Sequence, residues 1–118
     1  MPKKIKRIPA VFYQSDKGNE PVRKWLKKLD VADRKIIGGD LKDAEYGWPV
    51  GMPLCRSLSN GLWEVRSDIS SGRISRVIFC IWKDRMVLLH GFIKKTQTTP
   101  DADKKLALVR KKEVEKNG

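Results

Sequence analysis

Five side chains that can bind or activate a phosphate group lie in one stretch of the chain, Gly61 to Thr98. They are two arginines, two adjacent lysines and the only histidine: Arg66, Arg76, Lys94, Lys95 and His90. Arginine grips phosphate oxygens with paired hydrogen bonds, and a lysine crowded by other cations can transfer protons because its pKa falls. Between Leu54 and Thr98 there are eight Lys/Arg against three Asp/Glu. The stretch therefore predicts a cationic site for phosphate.

Metal-dependent and triad mechanisms lack the residues they need. The sequence has one histidine, and no cluster of Asp/Glu lies near the cations, so neither a zinc site nor a two-metal cage is expected, nor any cofactor. A serine nucleophile would need an oriented histidine base, and no Ser-containing elbow motif is present. RNA carries its own nucleophile, the 2′-hydroxyl, which a protein can align with the adjacent phosphate. The residues favour metal-independent RNA cleavage.

Structural roles compete with the catalytic ones. Arg66 could pair with Glu64 or Asp68, Arg76 could pair with a carboxylate across the sheet, and His90 has the apolar neighbours of a half-buried histidine. The concentration of cations favours the functional interpretation. Further RNA contacts are expected from four residues around the same site: Arg73, Arg56, Lys83 and Gln97.

Short strands must position these side chains. Trp63 and Val65 alternate with charged neighbours, so Glu64 and Arg66 are expected on the opposite face of their strand. Turn signals separate the extended segments at Ser59-Asn60-Gly61, Ser70-Ser71-Gly72 and Lys83-Asp84. Such short connections predict an antiparallel meander. An earlier segment, Lys3 to Gln14, contains Pro9 and is expected to form an edge strand.

Two helices are predicted between the edge strand and the meander. The first is capped by Asn19 and has Pro21 in its first turn. Its buried face comprises Val22, Trp25, Leu26 and Leu29. The second spans Val31 to Tyr46 and contains Gly38 and Gly39, which weaken it. Its apolar residues lie roughly in helical phase; they are Ala32, Ile36, Leu41 and Ala44.

A closing helix is predicted after the meander. Thr99 is the expected cap, Pro100 the first helical residue, and Ala102, Leu106 and Val109 the apolar stripe. The predicted architecture is a single α+β domain over residues 1–118. It has an antiparallel meander sheet with an N-terminal edge strand, two N-terminal helices packed on one face and a C-terminal helix.

Net charge and hydropathy limit the classes of partner and the location that are expected. The net charge of +12 favours a polyanion, with nucleic acid as the first candidate. No apolar run approaches the length of a membrane span, no membrane partner is expected, and the N-terminal apolar stretch is too short for a signal peptide. A cytoplasmic location is expected. Cys55 and Cys80 lie far apart in apolar company, which favours buried thiols over a disulfide.

Two motifs carry a resemblance to a known family. GLWEVR at 61–66 and LLHGFIKKTQTTP at 88–100 are specific, and the similarity extends over FYQSDKGNEPVRKWL and most of the remaining chain. The sequence resembles the HigB-type, phage-derived toxins of the RelE/ParE superfamily. This resemblance implies the toxin of a type II toxin–antitoxin system that cuts mRNA on the ribosome and is neutralised by a HigA-like helix-turn-helix antitoxin.

The resemblance also assigns residues. The family's basic active-site positions match Arg66, Arg76, Lys94 and Lys95, with Arg73 and His90 as further matches. Many relatives place a tyrosine or histidine near the C-terminus as acid or base, and this chain has neither beyond Thr99, so the proton-transfer group stays open. Three alternatives stay open: a ParE-like toxin that inhibits gyrase without catalysis, a basic nucleic-acid-binding protein from a prophage, and a degenerate toxin that folds and binds its partner without activity.

Overall fold

The structure, a computed structural model, describes residues 7–94 and 99–117, and of Lys94 the backbone only. Five strands and three helices follow one another in the described ranges: β1 Ala10–Phe12, α1 Pro21–Lys27, α2 Val31–Gly47, β2 Cys55–Ser57, β3 Trp63–Ile69, β4 Arg73–Trp82, β5 Arg85–Lys94 and α3 Asp101–Asn117. The α+β prediction is confirmed. None of the described helices is long and apolar enough to cross a membrane.

The sheet is mixed, so the prediction of a purely antiparallel sheet is wrong. Its strand order is β1-β5-β4-β3-β2, and β2 to β5 form the expected antiparallel meander. β1 is an edge strand as predicted, but it pairs with β5 in parallel, with Val11 opposite Val87. Short turns dictate the directions of β2 to β5, whereas two helices separate β1 from β2 and leave its direction to packing.

The predicted turns set the ends of the strands. Asn60 and Gly61 both have positive φ, 59° and 77°, as a primed hairpin turn requires. Lys83 and Asp84 repeat this conformation, with φ of 49° and 61°, between β4 and β5. Ser70–Gly72 forms a short 3₁₀ turn that leads into β4. These turns fix the register that aligns the charged residues of neighbouring strands.

α1 and α2 pack together on one face of the sheet, above an apolar core. In α1 the predicted face is confirmed, with Val22 buried and Trp25 packed against the core. Trp25 lies so close to β5 that a Cβ on Gly91 would stand 2.4 Å from its ring. The helix begins one residue later than expected because Glu20, not Asn19, is the N-cap residue.

The buried face of α2 matches the prediction only in its second half. Leu41 and Ala44 are buried as expected, but Ile36 is 41% exposed and Ile37 takes its place in the core. Asp33 is also buried. Few residues around Gly38 are apolar, so the sequence did not indicate which side of this part of α2 faces the core.

α3 covers the opposite face of the sheet, and its predicted apolar stripe is wrong. Leu106 and Val109 are 38% and 54% exposed, whereas Ala107 is the buried residue of this helix. Polar side chains attach the helix to the sheet: Arg110 donates a 2.8 Å hydrogen bond to the Leu89 carbonyl oxygen. Apolar periodicity could not show this face because charged residues make much of the contact.

A second apolar cluster lies between α3 and the sheet, separate from the one beneath α1 and α2. It contains Ile78, Leu89 and Ala107. Cys80 belongs to this cluster and Cys55 to the other, and both are free and buried, as predicted. Burial raises the pKa of each thiol to about 11. Both cysteines are therefore core residues.

Candidate phosphate-binding site

Three arginines meet on the α3 face of the meander. Arg66 on β3 lies directly opposite Arg76 on β4, and Arg56 on β2 lies directly opposite Glu64 on β3. Alternation along β3 turns Glu64 and Arg66 to the same face, as predicted, because Val65 between them enters the apolar core beneath α2. The arginines therefore come from three neighbouring strands, and two of them, Arg56 and Arg76, lie next to the same carboxylate, that of Glu64.

Glu64 is the carboxylate at the centre of this group, and its side chain has no exposed surface. Its Oε2 accepts a 2.5 Å hydrogen bond from the Thr99 hydroxyl. Its Oε1 lies 3.8 Å from Nε of Arg76, close enough for an ion pair. Thr99 was the predicted cap of α3. That prediction is wrong, since its hydroxyl bonds to Glu64 and the helix begins at Asp101.

Arg76 is fully buried in this group. Burial lowers its pKa from the ordinary value, the charge of Glu64 raises it, and the charges of Arg66 and Arg56 lower it further. Arg66 and Arg56 therefore lie close enough for their charges to act on Arg76. Like charges placed directly opposite each other in a sheet are destabilising, and burying a cation adds to that cost.

Arg66 differs from Arg76 in being partly exposed. It borders a surface pocket of about 290 Å³ that is also lined by Asp40, Pro53, Leu54 and Asp68. Arg56 is likewise partly exposed. Within the described part of the chain, these two arginines are the members of the group that a ligand can reach directly.

His90 lies near the Arg66–Arg76 pair, on the same face of the sheet and two residues along β5 from the position opposite Arg76. Phe92 on β5 is opposite Arg76, and His90 is opposite Ile78. The His90 ring stacks on Phe92 with centroids 5.4 Å apart, and its Nε2 lies 2.6 Å from Oδ1 of Asp103 in the first turn of α3. The side chains of His90 and Asp103 are only 16% and 17% exposed. Asp103 thus fixes the ring beside the site.

The remaining predicted residues lie at other places. Arg73 is turned toward α2, where its Nη2 donates a 2.7 Å hydrogen bond to Asp33. Lys83 lies in the turn at the far end of β4, with its Nζ 5.8 Å from the centre of the Trp82 ring. The backbone of Lys94 is opposite Ile74, in the row next to Arg76 and Phe92. Lys95 and Gln97, like the side chain of Lys94, lie outside the described residues.

Arg73 and Asp33 form a structural anchor between α2 and the sheet. The Asp33 carboxylate accepts hydrogen bonds from the backbone N–H of Ser70 at 3.1 Å and from its hydroxyl at 3.2 Å, besides the one from Arg73. The Ser70 N–H is the main cause that lowers the pKa of Asp33 below its ordinary value, and Arg73 adds to it. Arg73 is thus engaged away from the arginine group.

A family model matches residues 24–112, which is more than half of the chain and includes every arginine of the site. Its description is "Phage derived protein Gp49-like". The chain belongs to this Gp49-like family. The family is part of the RelE/HigB group of toxin-like proteins, which agrees with the resemblance at that coarser level. No curated protein matches the chain in sequence.

In this Gp49-like protein, the sequence predicted the arginines as site residues, and the structure places beside them three residues that were not predicted to belong to the site. Glu64 was predicted only as a possible ion-pair partner and Thr99 only as a helix cap, and Asp103 was given no role. Their contacts join segments 13 and 35 residues apart. The one available signal was the hydrophilic Glu64 inside the strong strand motif GLWEVR.

Among residues 7–94 and 99–117, no group of three His, Cys, Asp or Glu side chains is placed so that it could bind a metal ion. The chemistry that the described residues offer is electrostatic. A phosphate beside Arg66 and Arg56 would receive charge-assisted hydrogen bonds. The field of the buried Arg76 would add to them, since charges act strongly across a region from which water is excluded.

Proposed function

We propose that the protein is the toxin of a type II toxin–antitoxin system and cuts mRNA at the ribosome without a metal ion. The observation that carries the proposal is the group of Arg56, Arg66 and Arg76 around the buried Glu64. Membership of the toxin-like Gp49-like family supports the toxin assignment. The net charge of +12 suits a partner as strongly anionic as the ribosome with its bound mRNA.

In the proposed reaction, the 2′-hydroxyl of one nucleotide attacks the adjacent phosphorus atom. The 5′-oxygen of the next nucleotide leaves, and a 2′,3′-cyclic phosphate remains. Negative charge builds up on the phosphate oxygens in the transition state, where arginines stabilise it most. Arg66 and Arg56 make the direct contacts because they are partly exposed. Arg76, which is buried, acts through its charge and by holding Glu64.

The reaction also needs one group to remove the proton from the 2′-hydroxyl and another to supply a proton to the leaving oxygen. Lys94 and Lys95 are the proposed groups, with His90 as a further candidate. For His90 the support is its oriented ring, which Asp103 and Phe92 hold next to the row of Arg76. A helix-turn-helix antitoxin encoded with the toxin is the proposed protein partner.

Expression in cells with mapping of mRNA ends tests the proposal. Wild-type protein is expected to arrest growth and to produce new 5′ ends within translated messages. Arg66→Ala should lower the cleavage rate by about 10² or more, as does loss of other groups that stabilise transition-state charge. Lys27→Ala is the matched control because it removes one positive charge from the exposed face of α1.

Two outcomes would contradict the proposal. Growth arrest by Arg66→Ala at equal expression, with unchanged mRNA ends, would show that the arginine group is not the active site. Inhibition of gyrase supercoiling by the purified protein, without any mRNA cleavage, would assign it instead to a non-enzymatic gyrase inhibitor.

A further inference from the structure

A cleft of about 470 Å³ opens on the α3 face at the opposite end of the sheet from the arginines. We name it the hairpin cleft. Its apolar walls are Val11 on β1, Trp82 on β4, Val87 on β5 and Val114 near the end of α3. Its lining also includes Lys83 in the β4–β5 turn and Arg85 at the start of β5. Trp82 and Arg76 are six residues apart along β4, a distance of about 20 Å.

The apolar walls continue the cluster that α3 covers over the rest of this face. Val11, Trp82 and Val114 are packed against that cluster but only partly buried. The cleft is thus the part of the second core that the last turns of α3 leave open. Its volume lies in the range of pockets that receive a ligand, and such pockets are mostly apolar with a few placed polar groups.

The indole N–H of Trp82 is a donor that the described residues leave without an acceptor. Nε1 of Trp82 is buried, and no hydrogen-bond acceptor for it is found in residues 7–94 and 99–117. A buried indole N–H ordinarily has an acceptor, because leaving a buried donor without one costs free energy. This donor is buried, so it does not open into the cleft, and a docked segment would contact the exposed part of the Trp82 ring.

The charges of the cleft lining have one sign. Lys83 and Arg85 are both exposed, and the lining contains no carboxylate. Asp84 lies between them in the turn but does not line the cleft. On α3, the carboxylate of Glu113 accepts the hydrogen bond of the Tyr13 hydroxyl, and that of Glu115 pairs with Lys111. An anionic ligand with an apolar portion is the chemistry that complements this surface.

We propose that the hairpin cleft docks an acidic segment of a partner protein. The segment inserts one apolar or aromatic side chain against Trp82 and Val114, and its carboxylates pair with Lys83 and Arg85. Apolar anchors that fill a pocket supply most of the affinity of such contacts, while charge complementarity selects the partner and speeds association. The inference does not depend on RNA cleavage, because the cleft shares no residue with the arginine group.

Titration of the full-length, ¹⁵N-labelled protein with synthetic peptides tests this proposal. The probe is a short peptide with a central Leu-Phe pair flanked by Asp and Glu. One control peptide has Ser-Ser in the centre, and a second has Lys in place of the acids. The indole N–H signal of Trp82, assigned with Trp82→Phe, is expected to shift and saturate with the probe and to respond at least about tenfold more weakly to either control.

Charge variants separate docking from general attraction to a basic protein. Lys83→Ala with Arg85→Ala should weaken binding of the probe by about tenfold. Lys27→Ala with Lys28→Ala removes the same charge from an exposed surface at α1 and should change the affinity by less than about threefold. All four lysine and arginine side chains are exposed, so folding should be retained.

Three results would overturn the proposal. The Trp82 signal could fail to respond to the probe. The Ser-Ser peptide could bind as tightly as the probe, which would show that the surface attracts any acidic chain. A single-stranded RNA could compete for the Trp82 signal at equal or lower concentration, which would assign the cleft to nucleic acid.

Discussion

The two faces of the β3–β4 pair differ in chemistry around Glu64 and Arg76, although Ile78 and Cys80 make the rest of the α3 face apolar. Toward α2 the pair presents Val65, Val77 and Phe79, all buried in an apolar core. Toward α3 the same strands present Glu64 and Arg76, which are equally buried but charged. One face has the composition that stabilises a fold, whereas the other places arginine opposite arginine.

The buried charges on the α3 face indicate a functional site, because they cost stability. A pair of buried charges is often less stabilising than apolar residues of the same size, and facing cations repel each other. Local choices that work against stability are expected at functional sites. We therefore infer that the arginine group serves a ligand that carries negative charge.

The apolar face should show the largest loss of stability. Phe79 has no exposed surface, and its ring lies 5.4 Å from that of Trp48. Phe79→Ala is expected to lower the free energy of unfolding by about 3–5 kcal/mol, because it removes apolar contacts and leaves a cavity. Urea denaturation measures the change. A loss below about 1 kcal/mol would show that this core is loosely packed.

On the charged face, a single substitution should cost stability that a second one restores. Arg76→Met leaves Glu64 buried without its partner and should cost about 3 kcal/mol. Glu64→Gln with Arg76→Met removes both charges and keeps an acceptor for Thr99, so the free energy of unfolding should return to within about 1 kcal/mol of the wild type. mRNA cleavage should be lost in both variants. A double variant as unstable as the single one would mean that these charges serve stability.

Substitutions in α2, the helix packed on the apolar face, can stabilise the protein without changing contacts with the sheet. Gly38 and Gly39 are exposed in α2, and nothing lies within 4 Å of the position that a Cβ would take on either. Each Gly→Ala change should raise the free energy of unfolding by up to about 1 kcal/mol. Gly91→Ala is the contrasting variant and should be destabilising, since its Cβ would meet the ring of Trp25.

The smallest effect concerns the anchor between α2 and β4, and it depends on pH. Hydrogen bonds from Ser70 and Arg73 lower the pKa of Asp33. Its contribution to stability is therefore present above the ordinary carboxyl pKa of about 4 and is lost as the pH falls through the lowered value. Asp33→Asn should flatten the acid limb of the stability curve, and exposed Asp30→Asn should leave it unchanged. Equal curves for wild type and Asp33→Asn would contradict this.

Strong local patterns allowed much of the fold to be predicted. The turns at Asn60-Gly61 and Lys83-Asp84 and the alternation around Val65 identified the meander and placed Arg66 on the correct face. The apolar face of α1 was also correct. In each case, the signal came from residues within a few positions of one another, which is the range over which turn and periodicity rules operate.

Features that depend on long-range contacts escaped prediction. The parallel pairing of β1 follows from packing after two helices, and the buried face of α3 is set by polar contacts such as that of Arg110 with Leu89. The role of Glu64 could not be predicted because it depends on a hydrogen bond from Thr99, which lies 35 residues away in sequence. For the arginines, residue type pointed to phosphate, but only the register showed that Arg66 and Arg76 face each other.

The chemistry of the cut RNA ends tests the central claim most directly. Ribosomes are programmed with an mRNA that carries a single 2′-deoxy nucleotide at the mapped cleavage position, and with its all-ribose counterpart. We expect 2′,3′-cyclic phosphate ends from the all-ribose message, no cleavage at the substituted position, and loss of cleavage by Arg66→Ala. Cleavage of the 2′-deoxy message, or products with 5′-phosphate ends, would contradict it.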